Sequence, residues 1–168
     1  MADVGIGRST FGEQHDTRLN SVGQVAKQRR FEHSNQIGQA EPLVSIGDDK
    51  IGTCLFIHYL DRGRIRLGIG GPGSDFVSSE ALAVDYQEPV TIAISHAAFF
   101  PAGPEGFPGY SPAQREQLLA RTRVAINGTW ILTGPLSDPA GRVSGPVRFG
   151  QNHVGATYPL PTFSGRFI

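Results

Sequence analysis

Carboxylates are the side chains in this sequence that could do acid–base chemistry, and their spacing argues against it. Hydrolysis of a glycosidic bond needs two carboxylates roughly 5–10 Å apart, which a β-strand can carry at alternating positions. Glu80 and Asp85 are an odd number of steps apart, so a regular strand would place them on opposite faces. Most of the other acids from Asp48 onward fall in turn-like stretches. We therefore predict no catalytic residue and no enzymatic activity.

Side chains that could bind a metal or react through sulfur are also few. Asp48, Asp49 and Asp75 are conceivable oxygen donors to calcium, but solvated turn residues are the simpler interpretation. Cys54 is the only cysteine, and its apolar surroundings in TCLFIHYL predict a small buried hydrophobic side chain. We expect no metal and no cofactor.

The histidines of the strand-rich region show no metal-ligand spacing to one another. Histidines in or beside strands are more often partly buried and hydrogen-bonded than catalytic, and we expect this of His58, His96 and His153. The sequence contains no G-x-S-x-G nucleophile elbow. The glycine-rich stretch GIGGPG lacks the lysine of a phosphate-binding loop, so it predicts a wide turn.

Length and charge limit the partners. The 168 residues include 15 basic and 15 acidic side chains, and the pI is about 7.0. A nucleic-acid-binding domain usually has a basic surplus, so we expect no nucleic acid partner. No apolar run approaches the ~20 residues that cross a bilayer, and the first residues lack a secretory signal pattern. We expect a soluble chain with no transmembrane segment of its own. The sequence does not identify its compartment: the chain could be peripheral to a membrane assembly, or it could be exported as part of a larger precursor.

The composition changes near residue 41. Residues 1–41 are polar, rich in Gln, Asn and Gly, and mixed in charge. Their apolar residues follow neither a period of two nor one of 3.6. We interpret this segment as a polar N-terminal arm that lies against its own domain or against a partner chain.

Residues 42–168 have the pattern of an antiparallel β-sandwich, because short apolar stretches alternate with Gly, Pro, Asn and Asp clusters. Asn127-Gly128 predicts a hairpin with a two-residue turn, and Asp61-Arg62-Gly63 predicts a second hairpin. The candidate strands are Leu43–Ile46, Thr53–Leu60, Arg64–Ile69, Phe76–Val84, Val90–His96, Thr122–Ile126, Thr129–Leu132, Val147–Phe149 and Thr162–Ile168.

An insertion-like loop and helix occupy residues 99–121. Ser111 with Pro112 and Gln114 forms a capping-box pattern that predicts one short helix. The preceding loop is stiffened by prolines and carries four aromatic residues, which we take as candidate partner-binding residues or, with equal weight, as a lid over the core. These residues are Phe99, Phe100, Phe107 and Tyr110. Trp130 is expected in the core, with sugar stacking as the weaker alternative.

The order of these elements resembles the laminin-G-like, concanavalin A-like jelly-roll modules of bacterial proteins. The resemblance is carried by CLFIHYLDRGRIRLGIGGPG, RVAINGTWIL, VRFGQNHVG and FSGRF, and it runs from Pro42 to the end. It implies an all-β, concanavalin A-like jelly roll. It implies no single activity, because this scaffold serves lectins, glycanases and adhesion modules alike.

The residues favour a non-catalytic binding module. Our leading hypothesis is an accessory subunit that stabilises a larger protein assembly through its arm and aromatic loop. An end at Ile168, where the family usually continues its last strand, would leave a sheet edge for pairing. The alternative is a carbohydrate-binding, lectin-like module, and a glycoside hydrolase ranks below both. A row of exposed aromatic side chains on the concave sheet, or a calcium site, would favour the carbohydrate-binding alternative. An arm and loop buried against another protein would favour the accessory subunit.

Overall fold

The structure is a computed structural model that describes residues 24–30, 37–86, 88–100, 107, 109–135 and 145–167. In chain order, its strands and its helix are β1 (Gln24–Arg30), β2 (Ala40–Gly47), β3 (Gly52–Tyr59), β4 (Arg64–Gly70), β5 (Val77–Ser78), β6 (Leu82–Ala83), β7 (Val90–Ser95), α1 (Pro112–Leu119), β8 (Arg121–Ile126), β9 (Thr129–Pro135), β10 (Val147–Phe149) and β11 (Arg166–Phe167). A single 3₁₀ turn, Ala97–Phe99, follows β7.

These strands form two antiparallel sheets. The first has the order β11-β1-β7-β8-β9, and the second has the order β10-β2-β3-β4-β5, with β6 also paired to β4. The predicted class, an all-β antiparallel sandwich of the jelly-roll kind with one short helix, is confirmed by this arrangement and by α1.

The core lies between the two sheets. Along β3, Leu55, Ile57 and Tyr59 are buried and belong to one apolar cluster with Ile92 and Ile94 of β7. Burying one such side chain contributes on the order of 1.5–3 kcal/mol. Because strand side chains alternate, the even-numbered residues of β3 lie on the opposite face of the second sheet, away from this core.

Local sequence signals are confirmed where they concern turns and caps. Asn127 and Gly128 have φ values of 47° and 87°, as a two-residue hairpin turn between β8 and β9 requires. The side chain of Ser111 accepts a hydrogen bond from the backbone N–H of Gln114. The Gln114 side chain returns one to the Ser111 N–H, so the predicted capping box begins α1.

Part of the segment predicted as an arm pairs with the domain's own sheet. β1 runs antiparallel to β7, with Gln24 opposite Ser95 and Arg29 opposite Val90. This strand was missed because QVAKQRR lacks the apolar alternation on which strand prediction depends, whereas ladder hydrogen bonds use the backbone alone. Residues 1–23 and 31–36 lie outside the described residues, and the division at residue 41 stays a prediction.

Two strand predictions are wrong in extent. The stretch predicted as the strand Phe76–Val84 contains only β5 and β6, which pair separately with β4. Of the predicted strand Thr162–Ile168, the structure describes residues 162–167, and there the regular strand is limited to β11, although Thr162 forms an isolated bridge with Gln151. The apolar residues of both stretches suggested longer strands than their irregular pairing allows.

Candidate functional site

The predicted partner-binding aromatics lie close to one another and are largely turned toward the protein. Phe107 is 7% exposed and stacks on Phe100 with ring centroids 5.3 Å apart. Tyr110 lies 6.4 Å from Phe107. Phe99 packs against the core cluster and lies 6.0 Å from the ring of His96. Binding of a partner by these residues stays a prediction.

Asp48, one of the three carboxylates considered for calcium, closes a turn. Asp48 Oδ1 accepts hydrogen bonds from the backbone N–H groups of Lys50 at 2.8 Å and Ile51 at 3.0 Å. The bond from Ile51, then the bond from Lys50, lowers the pKa of Asp48. Across the part of the chain that the structure describes, no three His, Cys, Asp or Glu side chains lie close enough to hold a metal ion.

The expectation for the three histidines is confirmed, because each is at least partly buried and hydrogen-bonded. His96 Nδ1 accepts from the Ala98 N–H, and burial lowers the pKa of His96 to about 4. His153 Nε2 lies 2.8 Å from the Gly47 carbonyl oxygen, and its Nδ1 contacts the Ser45 hydroxyl. His58 contacts the hydroxyl of Tyr158, at a site described below.

Cys54 is fully buried, as expected, and burial raises the pKa of its thiol to about 12. Because thiolates rather than thiols react, we expect no labelling of native protein by a thiol-specific disulfide reagent at pH 8 over an hour. Addition of denaturant should release the full reaction of one thiol. Rapid labelling without denaturant would contradict this placement.

Trp130 is not in the core, contrary to the sequence-based expectation. The side chain is 38% exposed. A register shift in the hairpin places Leu132 opposite the core residue Val124 but Trp130 opposite Ala125. Ala125 lies on the opposite face of the sheet from Val124, so the bulge turns the indole away from the core.

A second group of aromatic residues, which sequence reasoning did not single out, forms a continuous surface on the outer face of the second sheet. Phe56 of β3 is its base, and the residue opposite it in β4 is Gly68. A Cβ on Gly68 would lie 2.2 Å from Phe56 Cζ, so the ring rests directly on the glycine backbone. The rings of Phe76 and Tyr158 lie 5.6 Å and 5.1 Å from that of Phe56 and leave it 1% exposed.

Phe76 and Tyr158 form the solvent-facing layer, which we call the aromatic platform. Their ring centroids are 4.4 Å apart, their planes are inclined by 31°, and they are 43% and 41% exposed. Exposed aromatic side chains in contact with one another on a sheet face are a feature of binding surfaces. The platform is therefore the candidate functional site of the described residues.

Tyr158 is fixed in position by its loop. Asn152 accepts the N–H of Ala156 at 2.8 Å and donates to the carbonyl oxygens of Ala156 at 2.8 Å and Pro159 at 3.2 Å. Immediately after, the Leu160 N–H donates to the Ala40 carbonyl at 2.8 Å, which ties the loop to β2. A ring held this way loses little conformational entropy when a ligand binds.

A basic edge borders the platform. Nδ1 of His58 lies 3.1 Å from the hydroxyl oxygen of Tyr158. The cross-strand neighbour of His58 is the exposed Arg66 of β4. Burial, then the positive charge of Arg66, lowers the pKa of His58, while a hydrogen bond with the Gly38 backbone raises it. The ring is therefore mainly neutral at pH 7 and serves as a hydrogen-bonding group.

The platform was hard to find from the sequence because its members are distant in the chain. His58 and Tyr158 are separated by 100 positions. The one local signal was that TCLFIHYL is apolar at successive positions, which indicates a strand covered on both faces.

Comparisons with known proteins give a distant structural likeness. No protein-family model matches the sequence, and no curated protein matches it. One similar solved structure is the CBM40 module of the Ruminococcus gnavus IT-sialidase bound to alpha2,3 sialyllactose, with 16% identity, a TM-score of 0.48, and coverage of 88% of this chain and 72% of that one. Another is the native heptameric SAP-like pentraxin from Limulus polyphemus, with 14% identity, a TM-score of 0.47, and coverage of 87% and 61%. The chain is an antiparallel β-sandwich of the jelly-roll class; its specific resemblance to laminin-G-like modules stays a prediction.

In the parts of the chain that the structure describes, no helix is both long and apolar enough to cross a membrane.

Proposed function

We propose that the protein is a non-catalytic carbohydrate-binding module that stacks a sugar ring on Phe76 and Tyr158. The observation that carries this proposal is the aromatic platform itself: two rings in contact, each about two-fifths exposed, on the outer face of a sheet. The apolar C–H face of a pyranose ring packs on an aromatic face, and its hydroxyl groups need polar partners at the rim.

The surroundings of the platform supply such partners. His58 and the hydroxyl of Tyr158 lie on one side. Ser78 is exposed and sits opposite Gly68 in the pairing of β4 with β5. A small exposed apolar surface with polar groups at its edge matches a sugar better than it matches a protein interface, which would need about 800 Å² buried on each partner.

The accessory-subunit hypothesis has less support in the geometry. Gln24–Arg30, within the supposed arm, pairs with β7 of its own sheet. Phe107, the centre of the aromatic loop, is 7% exposed and stacked on Phe100. The pairing of β1 and the burial of Phe107 therefore leave less of the arm and of the aromatic loop exposed for contact with a protein partner.

Replacement of either platform ring should abolish most glycan binding. We expect Tyr158→Ala and Phe76→Ala each to weaken affinity about ten-fold or more, because each removes a stacking surface at the centre of the site. The measurement is a glycan array followed by titration calorimetry on the best glycan. Trp130→Ala is the matched control, since it removes a similarly exposed aromatic from the other sheet and should leave affinity unchanged.

Two results would overturn the proposal. One is the absence of any bound glycan on an array that covers the common plant, animal and microbial sugars. The other is a bound glycan whose affinity falls with Trp130→Ala but not with Tyr158→Ala or Phe76→Ala. Circular dichroism of each variant establishes that the fold is retained.

A further inference from the structure

We infer that the sugar bound on the platform is acidic, and that Arg66 pairs with its anionic group beside the stacked ring. This inference rests on the proposed function and adds the chemical class of the ligand. The anionic group is a carboxylate or a sulfate ester, both of which match the guanidinium fork through two parallel hydrogen bonds.

The position of Arg66 supports the inference. Arg66 is exposed and directly opposite His58 in the β3–β4 pairing, so both residues lie on the outer face that carries Phe56 and Gly68. The His58 ring in turn lies 5.5 Å from that of Tyr158 at an angle of 79°. Arg66, His58 and Tyr158 therefore form a row, with the cation at one end and the stacking ring at the other.

The charge of Arg66 is not neutralised by the described protein. Two residues earlier on the same face, Arg64 forms an ion pair with Asp61, with Nη2 2.6 Å from Oδ2, and its Nε donates to the same oxygen at 2.7 Å. For the side chain of Arg66, the described residues show no ion pair and no hydrogen bond. An exposed cation beside an apolar platform, with no ion pair among the described residues, is complementary to a ligand that carries an anionic group.

The effect of Arg66 on His58 provides a readout of an anion bound at the guanidinium. The guanidinium is close enough to lower the pKa of His58, second only to burial. An anionic ligand at the guanidinium would cancel this influence and raise the pKa of His58. A neutral sugar would leave the Arg66 charge in place, and would not produce this rise.

The test compares matched pairs of glycans on wild-type protein and two arginine variants. The pairs differ only in the terminal residue: glucose against glucuronic acid, galactose against galactose 6-sulfate, and lactose with and without a terminal nonulosonic acid. We expect wild type to bind at least one acidic member about ten-fold more tightly than its neutral partner. Arg66→Gln should remove that preference, and Arg64→Gln, whose charge is already paired, should keep it.

A second readout separates recognition from structure. The His58 pKa, followed by NMR of its ring protons, should rise on addition of the preferred acidic glycan. In Arg66→Gln it should already be higher before any ligand is added. Retained binding of the neutral partner by Arg66→Gln shows that the platform itself is intact.

The outcomes distinguish this inference from the proposed function. Equal binding of neutral and acidic members by wild type, or an unchanged preference in Arg66→Gln, overturns the inference and leaves carbohydrate binding in place. Binding of no glycan from any pair or from the wider array overturns both. Preference for the carboxylated or for the sulfated termini identifies which anion Arg66 binds.

Discussion

Acidification from pH 7 to pH 4 should lower the free energy of unfolding by about 3 kcal/mol through His96 alone. The imidazole is fully buried, and burial lowers its pKa from 6.5 to about 4. Between those values the unfolded chain is protonated at this residue and the folded chain is not. The contribution of His96 to the free energy of unfolding is therefore at its full value above pH 6.5. It falls as the pH drops from 6.5 to 4, and it changes little below pH 4.

His96→Asn isolates this contribution. His96 accepts the Ala98 N–H at the start of the 3₁₀ turn, and asparagine is a favourable acceptor in the same capping position. Urea unfolding of both proteins at half-unit steps between pH 4 and pH 8 measures the difference in stability. That difference should change by about 3 kcal/mol across the window.

Carboxylates such as Asp48 and Asp61, whose pKa values are lowered by hydrogen bonds, titrate equally in both proteins and cancel from the difference. His58, whose pKa is also lowered, is common to both. Parallel stability curves for wild type and His96→Asn would contradict the placement of a neutral imidazole inside the fold. A difference that shrinks toward high pH instead of toward low pH would contradict the sign of the shift.

The features that the sequence predicted correctly are formed by residues close together in the chain. The Asn127-Gly128 turn and the capping box at Ser111 depend on residues within a few positions of each other, so their chemistry can be recognised in the chain. The buried strands β2, β3 and β7 were also recognisable, because burial requires apolar side chains whatever the partner strand.

The features that the sequence did not predict, β1 and the orientation of Trp130, depend on pairing between strands. β1 is polar in sequence, yet it lies between β7 and β11, and neither partner is adjacent in the chain. Trp130 was expected in the core because a large indole is usually buried, and a single extra residue in the β8–β9 ladder turns it to the opposite face. Neither the identity of a neighbouring strand nor the position of a bulge follows from the residue itself.

The platform shows the same limit at the functional level. Phe56 looks like an ordinary core residue in TCLFIHYL, and Phe76 and Tyr158 look like isolated aromatics in loops. Their combination is created by the loop that Asn152 closes, which returns Tyr158 across the face of β3. A glycine on the neighbouring strand then decides how deeply the lower ring can lie.

Gly68→Val should be among the most destabilising single substitutions in this sandwich, costing about 3 kcal/mol or more, and it should also remove glycan binding. A Cβ at this position would lie 2.2 Å from Phe56 Cζ and 2.4 Å from Cε2, distances that require the ring to move. The ring cannot simply yield, because Phe76 and Tyr158 cover it. Valine favours strands, so the loss cannot come from β-propensity. Urea unfolding and titration with the array-selected glycan measure the two effects.

Gly63→Ala is the matched control for this prediction. Gly63 lies in the β3–β4 hairpin turn, and a Cβ there would meet nothing within 4 Å, so stability and glycan affinity should be nearly unchanged.

Phe56→Leu combined with Gly68→Val should recover part of the lost stability, because the smaller side chain makes room for the new methyl groups. Glycan binding should not return with it, since the base on which Phe76 and Tyr158 rest would have a different shape. Recovery of both together would contradict the role assigned to the Phe56 ring, and equal losses in Gly63→Ala would show that replacing a glycine is costly here without any contact with Phe56.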